Sequence, residues 1–208
     1  NGEEASAYYA AGTAQYHINA DIVYALRKYA EATGDEDFLF KDGAEVLVET
    51  ARLWRDLGFF AEGHGGRFSI VGVTGPDEYN TVVNDNAFTN LMARENLWFA
   101  ANTVERLRRE RPDLYEGLKH RTGLEEAELR GWRDAADAMY LPYDEEAGIH
   151  LQDDEFLDRK PWDFEGTPPE KYPLLLHFHP LVIYRHRVIK QADIALAMFL
   201  LGDEFSLE

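Results

Sequence analysis

Apolar residues recur along much of the chain at spacings of three and four, the period of an amphipathic helix. Ile18, Ile22, Leu26 and Tyr29 fall on one face of a first helix, which stops at Thr33-Gly34-Asp35. Val46, Leu47, Thr50, Ala51, Leu53, Trp54 and Leu57 mark the buried stripe of a second, ended by Gly58. A third is predicted after Asn84-Asp85-Asn86, residue types whose side chains cap helix N-termini. Its apolar face is Phe88, Leu91, Trp98, Ala101, Val104 and Leu107. Arg106, Arg108, Arg109 and Arg111 crowd its far end, where cations suit the helix dipole. A short helix is expected over 113–119. Thr122 and Glu125 have the spacing of a capping box that opens a further helix to about Met139. A last helical region spans 180–201.

Two segments break this rhythm. Gly63-His64-Gly65-Gly66 leads into 67–73, which reads as a short strand, and 74–83 is dense in turn formers and polar groups. The second segment, 141–176, holds a predicted strand at 148–152 and the Pro-rich stretch Thr167-Pro168-Pro169. Long structured loops inside a helical domain commonly carry function. Paired helices joined by such loops predict an all-α helical barrel whose loops form a pocket at one end.

Composition narrows the picture. Hydrophobic residues are 45% of the 208 and aromatics 13%, a globular balance that supports one domain over 1–208. The 39 acidic residues against 21 basic ones give a formal charge of -18, which disfavours nucleic acid and anionic membranes as partners and favours a cytoplasmic enzyme. With no cysteine, disulfides, thiolate metal sites and cysteine nucleophiles are excluded. The longest apolar runs, such as 194–201, are far too short to span a membrane. The first ten residues carry neither the basic cluster nor the apolar run of a secretory signal, and the chain opens without Met, as a piece of a longer protein would.

Candidate chemistry begins at Thr74-Gly75-Pro76-Asp77-Glu78-Tyr79-Asn80. Gly-Pro fixes a turn that presents Asp77 and Glu78 just after a strand. A carboxyl on such a constrained loop beside an aromatic can be tuned to act as a general acid. Taken alone, the same residues also describe a solvated acidic turn. His17 and Asp21, four apart, are neighbours on one helix face. No third ligand accompanies them, so no metal is expected. Tyr79, Trp54, Trp162 and Phe164 could stack on sugar rings. For Trp54 and Trp98, on helix faces, core packing is the better reading, and for Trp162 the two readings are balanced.

Taken together and in order, five segments resemble glycoside hydrolase family 65, which holds maltose, trehalose and kojibiose phosphorylases and some acid trehalases. They are 11–21 (AGTAQYHINAD), 49–54 (ETARLW), 73–79 (VTGPDEY), 84–90 (NDNAFTN) and 188–193 (VIKQAD). The resemblance implies an (α/α)6-barrel catalytic domain, of which this chain is a central part. The parent's N-terminal β-sandwich, linker, remaining barrel and C-terminal β-domain would lie outside it. It further implies that Glu78 is the general acid and that Lys190 and Gln191 contact the substrate sugar. His17, Asp21, Asp77, Tyr79 and Trp162 complete the expected substrate-binding set.

The implied reaction is inverting cleavage of an α-linked glucose disaccharide by phosphate, giving β-glucose 1-phosphate and glucose. Phosphate is a co-substrate, no cofactor is required, and the parent is expected to be a homodimer. A trehalase-like hydrolase using water is the near alternative, and a non-catalytic helical scaffold the distant one. Asp77, adjacent in sequence to Glu78, is poorly placed to act as a base on the opposite face of a sugar ring. The residues that would bind phosphate or activate water are expected beyond Glu208.

Overall fold

The structure is a computed structural model and describes residues 10–206. In chain order its elements are α1 (Ala10–Thr13), α2 (His17–Thr33), α3 (Glu36–Phe38), α4 (Ala44–Leu57), β1 (Gly58–Ala61), β2 (Arg67–Ile70), α5 (Ala87–Glu110), α6 (Pro112–Thr122), α7 (Glu126–Asp137), β3 (Tyr143–Asp144), β4 (Ile149–His150), β5 (Lys160–Pro161), α8 (Pro180–Ile183), β6 (His186–Arg187) and α9 (Asp193–Leu200). The fold is mostly helical. Among the described residues no helix is long and apolar enough to cross a membrane.

Two compact units divide the chain. One, His17–Ile70 with Thr89–Tyr140, is helical. In it α4 packs against α2, α6 and α7, and its Leu47, Val48, Ala51 and Trp54 are wholly buried. The one polar atom of Trp54 is satisfied: its indole N–H donates to Asn96 Oδ1 at 2.9 Å, and Asn96 donates in turn to Thr50 Oγ1 at 3.1 Å. Gly58 ends α4 as the pattern predicts. A Cβ there would run into the ring of Phe68, so β1 approaches β2 closely in their antiparallel register, Gly58 opposite Ile70 and Ala61 opposite Arg67.

Several sequence expectations are corrected here. Helix α2 forms with the expected end, but Ile18 and Ile22, assigned to its buried face, are 48% and 53% exposed. The inward stripe is His17, Ala20 and Val23. Trp98 is only partly buried, its indole N–H donating to Asp137 and its ring under Arg94. Thr122 closes α6, its hydroxyl donating to Leu118 O, and Gly123 follows in the left-handed conformation (φ 65°). The capping box of α7 is instead Glu125 with Glu128, one register later than the sequence spacing suggested.

Glu128 also accepts a two-pronged contact from Arg52 on α4, at 2.7 and 3.0 Å. Hydrogen bonding to Arg52 holds the Glu128 carboxyl below its ordinary value of 4.5. Because the folded chain is the weaker proton binder, this contact stabilises the fold fully above that ordinary value. The contribution is lost as pH falls through the folded-state value. Glu128→Gln is therefore expected to cost on the order of 1 kcal/mol at neutral pH. Denaturant unfolding should show the gap to wild type closing on acidification; a gap independent of pH would contradict the pairing.

Of the described residues, the other unit takes those up to Tyr16, Val71–Phe88 and those from Leu141 onward. It is built largely from loops. The predicted strand near 148–152 appears as β4, paired with β3 in an antiparallel ladder, Tyr143 opposite His150. The expected continuous helix over 180–201 is split into α8 and α9. Between them lies β6, which pairs in parallel with β5, and an irregular run that carries Lys190 and Gln191.

Candidate functional site

The loop of interest is clamped at its base. Val73 and Val83 exchange both backbone hydrogen bonds, at 2.9 and 2.8 Å, and Thr74 N–H donates to Ala14 O at 2.9 Å. Inside the clamp Val82 N–H donates to Thr74 Oγ1, and Thr81 Oγ1 donates to Glu78 O. Val82 sits at φ 55°, a left-handed conformation that a β-branched residue seldom adopts and that costs about 1–3 kcal/mol. The surrounding hydrogen bonds hold it there.

Side chains alternate along the loop. Asp77 is fully buried, Glu78 is partly exposed and Tyr79 is buried. Among the described residues five donors reach the Asp77 carboxylate. Tyr79 N–H (3.2 Å), Lys190 N–H (2.9 Å) and Gln191 N–H (3.4 Å) approach Oδ1. The side-chain amides of Asn80 and of Gln152 (2.8 Å) reach Oδ2. Both oxygens of Asp77, a residue expected to contact substrate, are thus engaged by the chain itself.

Glu78 turns the other way. Its Oε2 accepts from Lys190 Nζ at 3.0 Å, although the two residues are 112 positions apart in sequence. Both side chains keep about 40% of their surface open to solvent. Gln191, next in the chain, is also exposed. Three predicted site residues, Glu78, Lys190 and Gln191, thus gather at one accessible edge.

Behind this edge lies a buried polar layer that sequence reasoning missed. Asn80 donates to Asp77 and to Val188 O, and its own oxygen accepts from Arg159 Nη1 at 2.8 Å. Arg159 grips Asp153 with two hydrogen bonds. Burial pushes the Asp153 carboxyl above its ordinary value, and the Arg159 contact only partly offsets that. Gln152 joins the layers: it donates to Asp77, while its Oε1 accepts from Asp193 N–H at 3.1 Å, where α9 begins. Asn86 donates to Asp193 Oδ2 and to Gln152 O. Gly75 lies directly against this group. A Cβ there would overlap Asp193 Oδ2 and come within 2.6 Å of Asn86 Nδ2.

Tyr79 and Trp162 are placed in a small apolar core with Leu174, Ile183 and Val188. Tyr79 Oη accepts from Leu174 N–H at 2.8 Å, Trp162 Nε1 donates to Thr167 Oγ1 at 2.9 Å, and Phe178 meets the indole edge to face. Both rings, expected to meet a sugar, are buried in this core. Phe164 is exposed. His17 and Asp21 belong to the helical unit, where His17 Nδ1 and Asp21 Oδ2 are 2.8 Å apart on α2.

Comparison with known proteins agrees with the ordered segments. The family model "Glycosyl hydrolase family 65 central catalytic domain" matches residues 1–208. This chain belongs to glycosyl hydrolase family 65. It is 53% identical to an α,α-trehalose phosphorylase of Geobacillus stearothermophilus over 98% of this chain and 26% of that protein. With a kojibiose phosphorylase of Halothermothrix orenii the identity is 34%, over 95% and 25%. A solved structure described as a candidate kojibiose phosphorylase from the human microbiome superposes with a TM-score of 0.84 at 29% identity, covering 99% of this chain and 28% of that one. The chain thus spans about a quarter of the length of the curated relatives it matches.

The contact made by Gly75 gives a direct check on this family 65 loop. Gly75→Ala must push Asp193 and Asn86 apart. It is expected to cost about 1–3 kcal/mol in unfolding free energy. Thermal or denaturant unfolding that leaves stability unchanged would contradict the packing described.

Proposed function

We propose that the protein containing this chain cleaves α,α-trehalose by phosphorolysis with inversion, yielding β-glucose 1-phosphate and glucose. Glu78 is the general acid, and Lys190 and Gln191 hold the glucosyl unit that is transferred. The observation that carries this reading is the meeting of Glu78 and Lys190 at 3.0 Å on an accessible edge, from segments 112 residues apart. Trehalose is preferred because identity is 53% to a trehalose phosphorylase and 34% to a kojibiose phosphorylase. The chain is read as part of one (α/α)6-barrel domain of a cytoplasmic, homodimeric protein.

In this mechanism, arrival of substrate exchanges the Glu78–Lys190 contact for two others. Lys190 turns to a sugar hydroxyl, and the protonated Glu78 carboxyl donates to the glycosidic oxygen. The bond from C1 to that oxygen breaks through an oxocarbenium-like transition state while a phosphate oxygen bonds C1 from the opposite face. Phosphate is nucleophilic at neutral pH, so no general base is needed. The proton carried in by phosphate replaces the one that Glu78 gave up.

The test uses the full-length protein with trehalose, maltose and kojibiose, each with and without phosphate. Trehalose with phosphate is expected to give β-glucose 1-phosphate; glucose release independent of phosphate would instead establish a hydrolase. Glu78→Gln is expected to lower turnover of trehalose by about 10²–10⁴-fold. It should largely spare α-glucosyl fluoride, whose leaving group departs without a donated proton. Equal loss on both substrates would contradict the acid role.

A further inference from the structure

We propose that Asp77 is a positioning residue for this reaction: its buried carboxylate fastens the backbone at Lys190 and Gln191 to the loop that presents Glu78, and so sets the spacing between the acid and the sugar-holding residues. This inference rests on the proposed role of Glu78.

Three chain segments distant in sequence converge on Asp77. The loop itself contributes Tyr79 N–H and the Asn80 amide. The 141–176 segment contributes Gln152. The run between β6 and α9 contributes the N–H groups of Lys190 and Gln191. Those last two donors are main-chain groups, so Asp77 fixes where that backbone passes, whatever the Lys190 side chain does. The Lys190 ammonium can therefore leave Glu78 for a ligand without loss of the backbone register beneath it. Gln152 ties the same carboxylate to the start of α9 through Asp193 N–H, and Arg159 with Asp153 steadies Asn80 from behind.

A carboxylate suits this place for a chemical reason. It offers lone pairs at two oxygens and no hydrogen, so it can accept from every donor at once. An amide of the same shape cannot. In Asp77→Asn one oxygen becomes an NH2 group that faces other donors, and the cluster must open. A shift of about 1 Å in the reacting groups is enough to cost on the order of 100-fold in rate.

The experiment compares full-length wild type, Asp77→Asn and Glu78→Gln on trehalose and on α-glucosyl fluoride, both with phosphate. Unfolding midpoints are recorded for each. For Asp77→Asn the expected result is a loss of at least about 100-fold in kcat on trehalose, with a much smaller loss on the fluoride. A residue needed only for folding would lower both activities in parallel through the fraction folded. Parallel losses, or no loss, while Glu78→Gln shows its selective defect, would overturn the positioning role. If Glu78→Gln lacks that selective defect, it is the acid reading that fails. Should Asp77→Asn not fold, Gln152→Glu, which replaces a donor to Asp77 by an acceptor at equal length, carries the same comparison. Its selective loss on trehalose supports the proposal, and parallel or absent loss overturns it.

Discussion

The loop unit depends on one buried carboxylate. Moving Asp77 out of water is costly unless its lone pairs are used, and here hydrogen bonds from three chain segments use them. The exchange is mutual. Lys190 and Gln191 lie in an irregular run between β6 and α9, and their N–H groups need acceptors that Asp77 supplies. With Asp77 turned inward and Tyr79 held in the apolar core beside it, Glu78 between them points outward. The exposure of the proposed acid is thus a consequence of how its two neighbours are buried.

The two units are stabilised by different physics. In the helical one the backbone satisfies itself, and side chains are free to pack, as Leu47, Val48, Ala51 and Trp54 do. In the loop unit few backbone groups sit in ladders. Order comes instead from polar side chains that bridge segments: Asn80, Asn86, Gln152, Asp153, Arg159 and Asp193. Such a layer is demanding, since one lost partner leaves another group buried and unsatisfied. It also gives the fixed geometry on which proton transfer depends.

Periodicity made the long helices legible, including the end of α4 at Gly58, because a stripe of apolar residues is a local property. Which stripe faces inward was less clear. Ile18 and Ile22 form the more hydrophobic line on α2, yet Ala20 and Val23 are the residues it buries. The capping box was displaced because Thr122 and Glu125 have the same spacing as the true pair, Glu125 and Glu128. At the site, the motif segments named Glu78, Lys190 and Gln191, and the structure brings them to one edge. Burial of Asp77, Tyr79 and Trp162 could not be read from a single sequence. Nor could the pairing of Gln152 with Asp77 or of Arg159 with Asn80, which joins residues more than seventy positions apart.

The most direct test of this account is amide hydrogen exchange, residue by residue, on wild type and Asp77→Asn. Lys190 and Gln191 lie outside regular secondary structure, so their protection should come from Asp77. The account predicts that both amides are protected in wild type and lose that protection in the variant, while amides in the middle of α4 are unchanged. Equal exchange at Lys190 and Gln191 in the two proteins would contradict it.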